Sequence, residues 1–279
     1  WRVGVYFNIA HNENKITEMP DNYIEENYTF GNGNYAYRRE EGRPMGSFYG
    51  YRYKGVYQNK DATYARDIEG NVMKDISGNA IVMRNGSYTV APGDAIYEDV
   101  NHDGVINQYD IVYLGNSNPR LTGGAGLNVS YKQFKLSAIF YGRYGQDVVN
   151  ATRLNNESMR GIDNQSTAVL RRWRNEGDQT DIPRALYGEG YNTLGSDRFV
   201  EDASYLRLKS LSFTYRLPKK AIQRWGFNNI DVYVTGYNLF TWTKYTGQDP
   251  EVKTENTYAR DTATTPASIQ LVAGFNLSF

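Results

Sequence analysis

The sequence predicts an all-β chain: an antiparallel transmembrane β-barrel wall with long extracellular loops. Three observations predict it. Apolar residues recur at every second position in one segment after another, the period of a strand with one apolar face. The 279 residues include 25 Tyr and 27 Gly, and helical patterning is sparse. Short and long connections alternate, as periplasmic turns and extracellular loops do in outer-membrane barrels. Composition alone also fits a secreted β-sandwich, and that reading stays open on these grounds.

The elements follow in order. Trp1, Val3, Val5, Phe7 and Ile9 alternate with Arg2, Gly4, Tyr6 and Asn8. "SFYGYRYKGVYQ", at about residues 47–58, reads as a second, Tyr-dominated strand. Leu121, Ala125, Leu127, Val129 and Tyr131 share one face, and Thr122, Asn128 and Ser130 the other. Two residues later, Phe134, Leu136, Ala138 and Phe140 oppose Lys135, Ser137, Tyr141 and Arg143, with Ile139 off-pattern, so these two strands form a hairpin. In "SYLRLKSLSFTYRLP", Leu206 and Leu208 fall on even positions while Leu211, Phe213, Tyr215 and Leu217 fall on odd ones, which predicts a bulge near Lys209. Ile230, Val232, Val234, Phe240 and Trp242 mark the next strand, and Ile269, Leu271, Ala273, Phe275, Leu277 and Phe279 the last. Seven wall strands result. The connections near 132 and over 218–229 are short, whereas those over about 59–120, 145–204 and 243–267 are long. The segment 11–46 is too long for the turn this order requires; "YTFGNGNYAYRRE" inside it reads as a further hairpin. Ala168, Val169, Arg172 and Trp173 have helical spacing, predicting a short loop helix over 166–177 that packs Trp173.

Composition excludes several functions. Lys+Arg and Asp+Glu both number 31, so no net charge draws nucleic acid or an anionic surface. With no Cys, disulfides, thiolate metal sites and Cys nucleophiles are out. His11 and His102 are far apart in sequence and read as surface residues. No apolar run approaches the roughly 18 residues of a transmembrane helix. Glu25–Glu26 and Glu40–Glu41 are adjacent pairs that do not flank one bond as paired catalytic carboxylates do. The "GNGN" at 31–34 and "GGAG" at 123–126 lack the Lys-Ser/Thr and helix of a phosphate cradle. Nothing marks a nucleophile elbow. No enzymatic activity is expected.

"DVNHDGVINQYD" spaces oxygen ligands as a calcium loop does: Asp99, Asn101, Asp103, the Val105 carbonyl, Asn107 and Asp110, with Gly104 at the sharp turn. Hard oxygen donors suit Ca²⁺ and admit Mg²⁺. Three carboxylates, with Asp rather than Glu last, predict affinity of roughly 10⁻⁴–10⁻³ M, that of an extracellular module. The flanking "GDAIYE" and "IVYLGNSNP" are β-rich and broken by Gly and Pro, so the ion is structural and the loop, within the segment 94–118, is no helical sensor. An Asx-rich turn without metal is the plainer alternative.

Longer stretches carry a resemblance. "EGRPMGSFYGYRYKGVYQ", "GDAIYEDVNHDGVINQYDIVYLGNSNPRLTGG", "DIPR", "SDRFVEDASYLRLKSLSFTYRLPKK", "YVTGYNLFTWTKYTGQDPEV" and the closing "GFNLSF" together resemble the SusC/RagA-type TonB-dependent transporters of Bacteroidetes-like bacteria. The resemblance implies a roughly 22-stranded outer-membrane barrel, closed by a plug, driven through TonB and working with a SusD-like surface lipoprotein to import a large glycan or peptide. It places residues 1–279 in the C-terminal part of such a barrel, without the plug, and makes Phe275, Leu277 and Phe279 a membrane-insertion signal. Seven strands alone would leave unpaired backbone groups facing lipid at several kcal/mol each, so the remaining barrel strands and outer-membrane lipid are expected partners. Lys135, Tyr141 and Arg143 would face plug or cargo, or hold the wall as a charge ladder. The loops at 59–120 and 145–204 would meet the lipoprotein, with the metal loop pinning one of them. The alternative is a secreted, soluble, calcium-stapled β-sandwich that binds glycans through its many Tyr.

Overall fold

Six long strands form one antiparallel sheet in a computed structural model that describes residues 1–19, 34–35, 39–252, 254–255 and 258–279. They run Arg2–His11, Leu121–Tyr131, Phe134–Tyr144, Tyr205–Arg216, Asn229–Thr243 and Gln270–Ser278. Their order across the sheet is their order along the chain, so the wall is a simple up-and-down meander, the connectivity of a barrel.

The register places the alternating residues on two coherent faces. Across the middle of the sheet, Val5 lies opposite Leu127 and Leu127 opposite Ala138; Ala138 pairs with Leu211, Leu211 with Gly236 and Gly236 with Leu271. The other face of the same strands carries Asn128, Ser137, Ser212 and Thr235, with Asn128 bonded to Ser137 and Ser212 to Thr235. The predicted bulge is present. Pairing slips between Leu208 and Ser210 on both sides of the strand, and Asn238 in the next strand takes a left-handed φ of 53° beside it. The slip keeps Leu206 and Leu208 on the same face as Leu211, Phe213 and Tyr215 despite their change of phase.

The apolar face has no covering layer among the described residues. Val5, Phe7, Phe213, Val234, Phe240, Leu271 and Phe275 are all exposed. Aromatic side chains gather at its two ends. Trp1 stacks on Tyr131 at 4.2 Å, Phe134 meets Tyr215, and Phe227 meets Phe279 at one end; Phe140, Phe240 and Trp242 cluster toward the other. From Phe134 to Tyr144 the strand runs about 33 Å, which at a barrel tilt of about 40° spans about 25 Å. That is the height of a lipid-facing band between two aromatic girdles.

The clusters of buried apolar side chains lie instead in the long connections. All three long connections leave the sheet at one end, and only the Lys132–Gln133 turn and the segment 217–228 join strands at the other. The largest cluster unites Tyr51, Tyr57, Met83, Tyr97, Ile106, Tyr191 and Leu194. Two smaller ones centre on Phe48 with Phe199 and on Val148 with Tyr245.

Two expectations are corrected. Residues 47–58 are not a wall strand: Ser47–Gly50 pairs with Val112–Asn116 and Tyr53–Val56 with Ala95–Tyr97, inside the loop layer. The wall described here therefore has six strands rather than seven, and residues 12–120 form one connection on the loop side, which removes the misfit of the segment 11–46. The hairpin expected within 28–40 lies largely outside the described residues. The helix expected over 166–177 is reduced to a 3₁₀ turn, Thr167–Arg171, capped by Ser166. Trp173 follows it and packs on Gly93, where a side chain would collide with the indole ring.

Candidate functional site

The loop end of the polar face carries a charge network built around one buried arginine. Arg207, 3% exposed at its side chain, bonds Glu251 at 2.9 Å and also bonds Asp249; its Nε donates to Thr241. Lys209, on the bulge, reaches the same Glu251 oxygen at 2.9 Å. Asp249 accepts the backbone N–H groups of Glu251 and Ala267. Arg143 stands 3.9 Å from Glu251, beyond hydrogen-bond reach, and donates to the Tyr141 hydroxyl. The network therefore ties the segment 249–251 to the strand Tyr205–Arg216, and Arg207 bonds on to Thr241 in the next strand. Of the three residues expected on this face, Tyr141 and Arg143 belong to the network, while Lys135 sits at the turn end opposite Ser130 and Thr214.

The metal-like loop is well ordered by its own hydrogen bonds. Asp99 accepts from Asp103 and Gly104, Asp103 accepts from Val105, and Asn107 accepts from Tyr109. Asn101 donates to Asp103, and Asn107 to the Val105 carbonyl. Asp110 is fully buried and accepts from Val100 and Asn107 at 2.8 Å each. Burial pushes the Asp110 carboxyl pKa up; the Asn107 and Val100 donors oppose this, and the charges of Asp99 and Asp103 add to it. The donors are all hard oxygens, which suit Ca²⁺. Among the described residues, however, no three acidic or His side chains converge as a metal-holding group, so an ion would compete with the N–H donors that now hold the carboxylates.

Sequence reading missed what this loop rests on. "DIEGN" at 67–71 and "DISGN" at 75–79 are the same turn eight residues apart. In each, the Asp carboxylate accepts the N–H groups two and four residues on and the Asn side-chain amide. The chain between turns forms a closed ring of three backbone bonds: Ala65 N to Ile81 O, Met73 N to Ala65 O, and Ile81 N to Met73 O. A Cβ on Gly104 would meet Ala65 at 2.9 Å, with Ile81 and Met73 next, so the metal-like loop seats its turn on that ring. The eight-residue repeat was the available signal.

A second tie joins the two largest connections. Asp94, fully buried, accepts from Arg184 at 2.7 Å, from Tyr88 and from Asn192. Burial raises the hydroxyl pKa of the core tyrosines; it pushes Tyr57 up to about 12 and Tyr97 well above its ordinary value. These tyrosines are packing residues rather than a sugar-stacking surface. Phe275, Leu277 and Phe279, expected from the sequence to form an insertion signal, are exposed; Phe275 and Leu277 sit on the apolar face, opposite Val232 and Ile230.

No protein-family model matches the chain. A TonB-dependent receptor of Formosa agariphila is 33% identical over 257 residues, covering 90% of this chain and 23% of the relative. The TonB-dependent receptor SusC of Bacteroides thetaiotaomicron is 27% identical over 282 residues, covering 98% of this chain and 24% of the relative. The solved RagAB peptide transporter matches with a TM-score of 0.72 at 26% identity, over 99% of this chain and 27% of that one. The chain thus spans about a quarter of the length of the proteins it matches.

Proposed function

We propose that this chain, which belongs with the outer-membrane TonB-dependent receptors of the SusC/RagA type, supplies wall and outer loops to a transporter that imports a large nutrient. One observation carries the reading: a six-strand meander with an exposed, continuous apolar face, a polar opposite face, and every long connection at one end. Such a face is stable against hydrocarbon and costly in water. The alternative of a soluble sandwich needs a second sheet on that face, and none lies there among the described residues.

In this reading the polar face lines the lumen and the long connections are extracellular. Both edges of the six-strand sheet require further strands of the same barrel, because unpaired backbone is not tolerated in lipid. TonB would act through a plug, and a SusD-like lipoprotein would dock on the loop layer. The cargo is a glycan or a peptide; similarity to a peptide transporter supports the latter class. Asp99, Asn101, Asp103, Val105, Asn107 and Asp110 would hold a structural Ca²⁺, or Mg²⁺, that stiffens the first long loop. Phe275, Leu277 and Phe279 would serve barrel assembly. No catalytic role is assigned, in keeping with receptors rather than enzymes among the relatives.

The test is genetic. Deleting the gene for the whole receptor should abolish growth on one member of a panel of glycans and protein hydrolysates, and deleting TonB should do the same. Unchanged growth on every nutrient of the panel would overturn the import reading.

A further inference from the structure

A cavity of about 820 Å³ opens beside the charge network, at the loop end of the polar face. Its walls include Arg143, Gln146, Asp249, Glu251, Arg260 and Thr264. Gln146 is buried and donates to the Ala203 and Pro250 carbonyls, so the acidic segment is held from two sides.

Both carboxylates are already engaged. Asp249 takes Arg207 and two backbone N–H groups, and Glu251 takes Arg207 and Lys209. Arg143 reaches Glu251 only at 3.9 Å. Arg260, placed by the pairing of its strand with Val149, has a buried Nε with no hydrogen-bond partner. Four cations thus face two carboxylates among the described residues around this cavity, and the two that line it without a short ion pair are both guanidinium forks.

A guanidinium presents paired donors that fit a planar carboxylate, and Arg143 and Arg260 both line the cavity without a short ion pair among the described residues. We infer that this cavity binds a carboxylate group of the imported molecule, held between Arg143 and Arg260. This rests on the import reading and narrows it to acidic cargo, either a uronic-acid glycan or an acidic peptide.

The experiment uses the whole receptor with its lipoprotein, purified in detergent. Two pairs of fluorescent probes are compared by anisotropy: tetragalacturonate with its methyl ester, and tetraglutamate with tetraglutamine. One acidic probe should bind at least about tenfold more tightly than its neutral counterpart, the size of a hydrogen bond to a charged group; which one identifies the source of the carboxylate. Arg260→Gln should remove most of that preference, and Arg260→Lys, which keeps charge without the fork, should retain part of it. Heat-modifiable migration shows that each variant has folded. Equal or absent binding within both pairs, or a preference that survives in folded Arg260→Gln, overturns the site. Loss of TonB-dependent growth is read separately, so import can stand while the carboxylate site fails.

Discussion

Gly104 joins two local devices at one atom. Its φ of +81° suits glycine, and its bare Cα rests on the ring of Ala65, Met73 and Ile81. Loosening the metal-like loop therefore also loosens its seat. Asp99 and Asp103 each hold backbone N–H groups and each contribute charge that a divalent cation would offset. Replacing both with Ala in the whole receptor should speed protease cleavage within 94–118 severalfold in millimolar Ca²⁺, and addition of a chelator to the wild type should move it the same way. A wild-type loop whose cleavage rate ignores both Ca²⁺ and chelator would leave the Asx hydrogen bonds as the whole of its order.

At the scale of elements, two-residue alternation made the wall legible. Five of the six wall strands and the bulge at Lys209 follow from which positions are apolar, and the first strand does too, because its exposed odd residues keep strict phase. What alternation cannot reveal is what a strand packs against. Ser47–Gly50 is buried on both faces, yet its Tyr-rich pattern reads like a wall segment. The metal-like loop was legible as spaced oxygens, but the charge network was not, because Arg207 and Glu251 come together only through the loop's return path. The facing of each wall residue makes a paired prediction. Leu127 lies mid-strand on the apolar face and Asn128 beside it on the polar face. In the whole receptor, Leu127→Arg should cost about 2–4 kcal/mol at the depth of the hydrocarbon and sharply lower the heat-modifiable species in outer membranes. Asn128→Arg should leave that species near wild-type level. Equal loss in both variants would mean the two faces do not differ in their surroundings.

At the scale of the whole molecule, the wall and the loop layer are stabilised by different physics. The wall has backbone pairing and a face suited to lipid, whereas the loop layer has a tyrosine-lined core of its own. The Arg184–Asp94 pair sits inside that second part and bridges the connection 12–120 to the connection 145–204. Arg184→Ala would leave the fully buried Asp94 with only its neutral partners Tyr88, Asn192 and the Ala91 N–H. Removing one partner of a buried ion pair costs on the order of 3 kcal/mol. If the two parts are energetically separable, that cost falls on the loops alone: proteolysis of the outer connections should accelerate about a hundredfold while the barrel keeps its heat-modifiable migration. A variant that lost barrel migration together with loop protection would show one cooperative unit, and the loop layer would then have to be counted as part of what holds the wall closed.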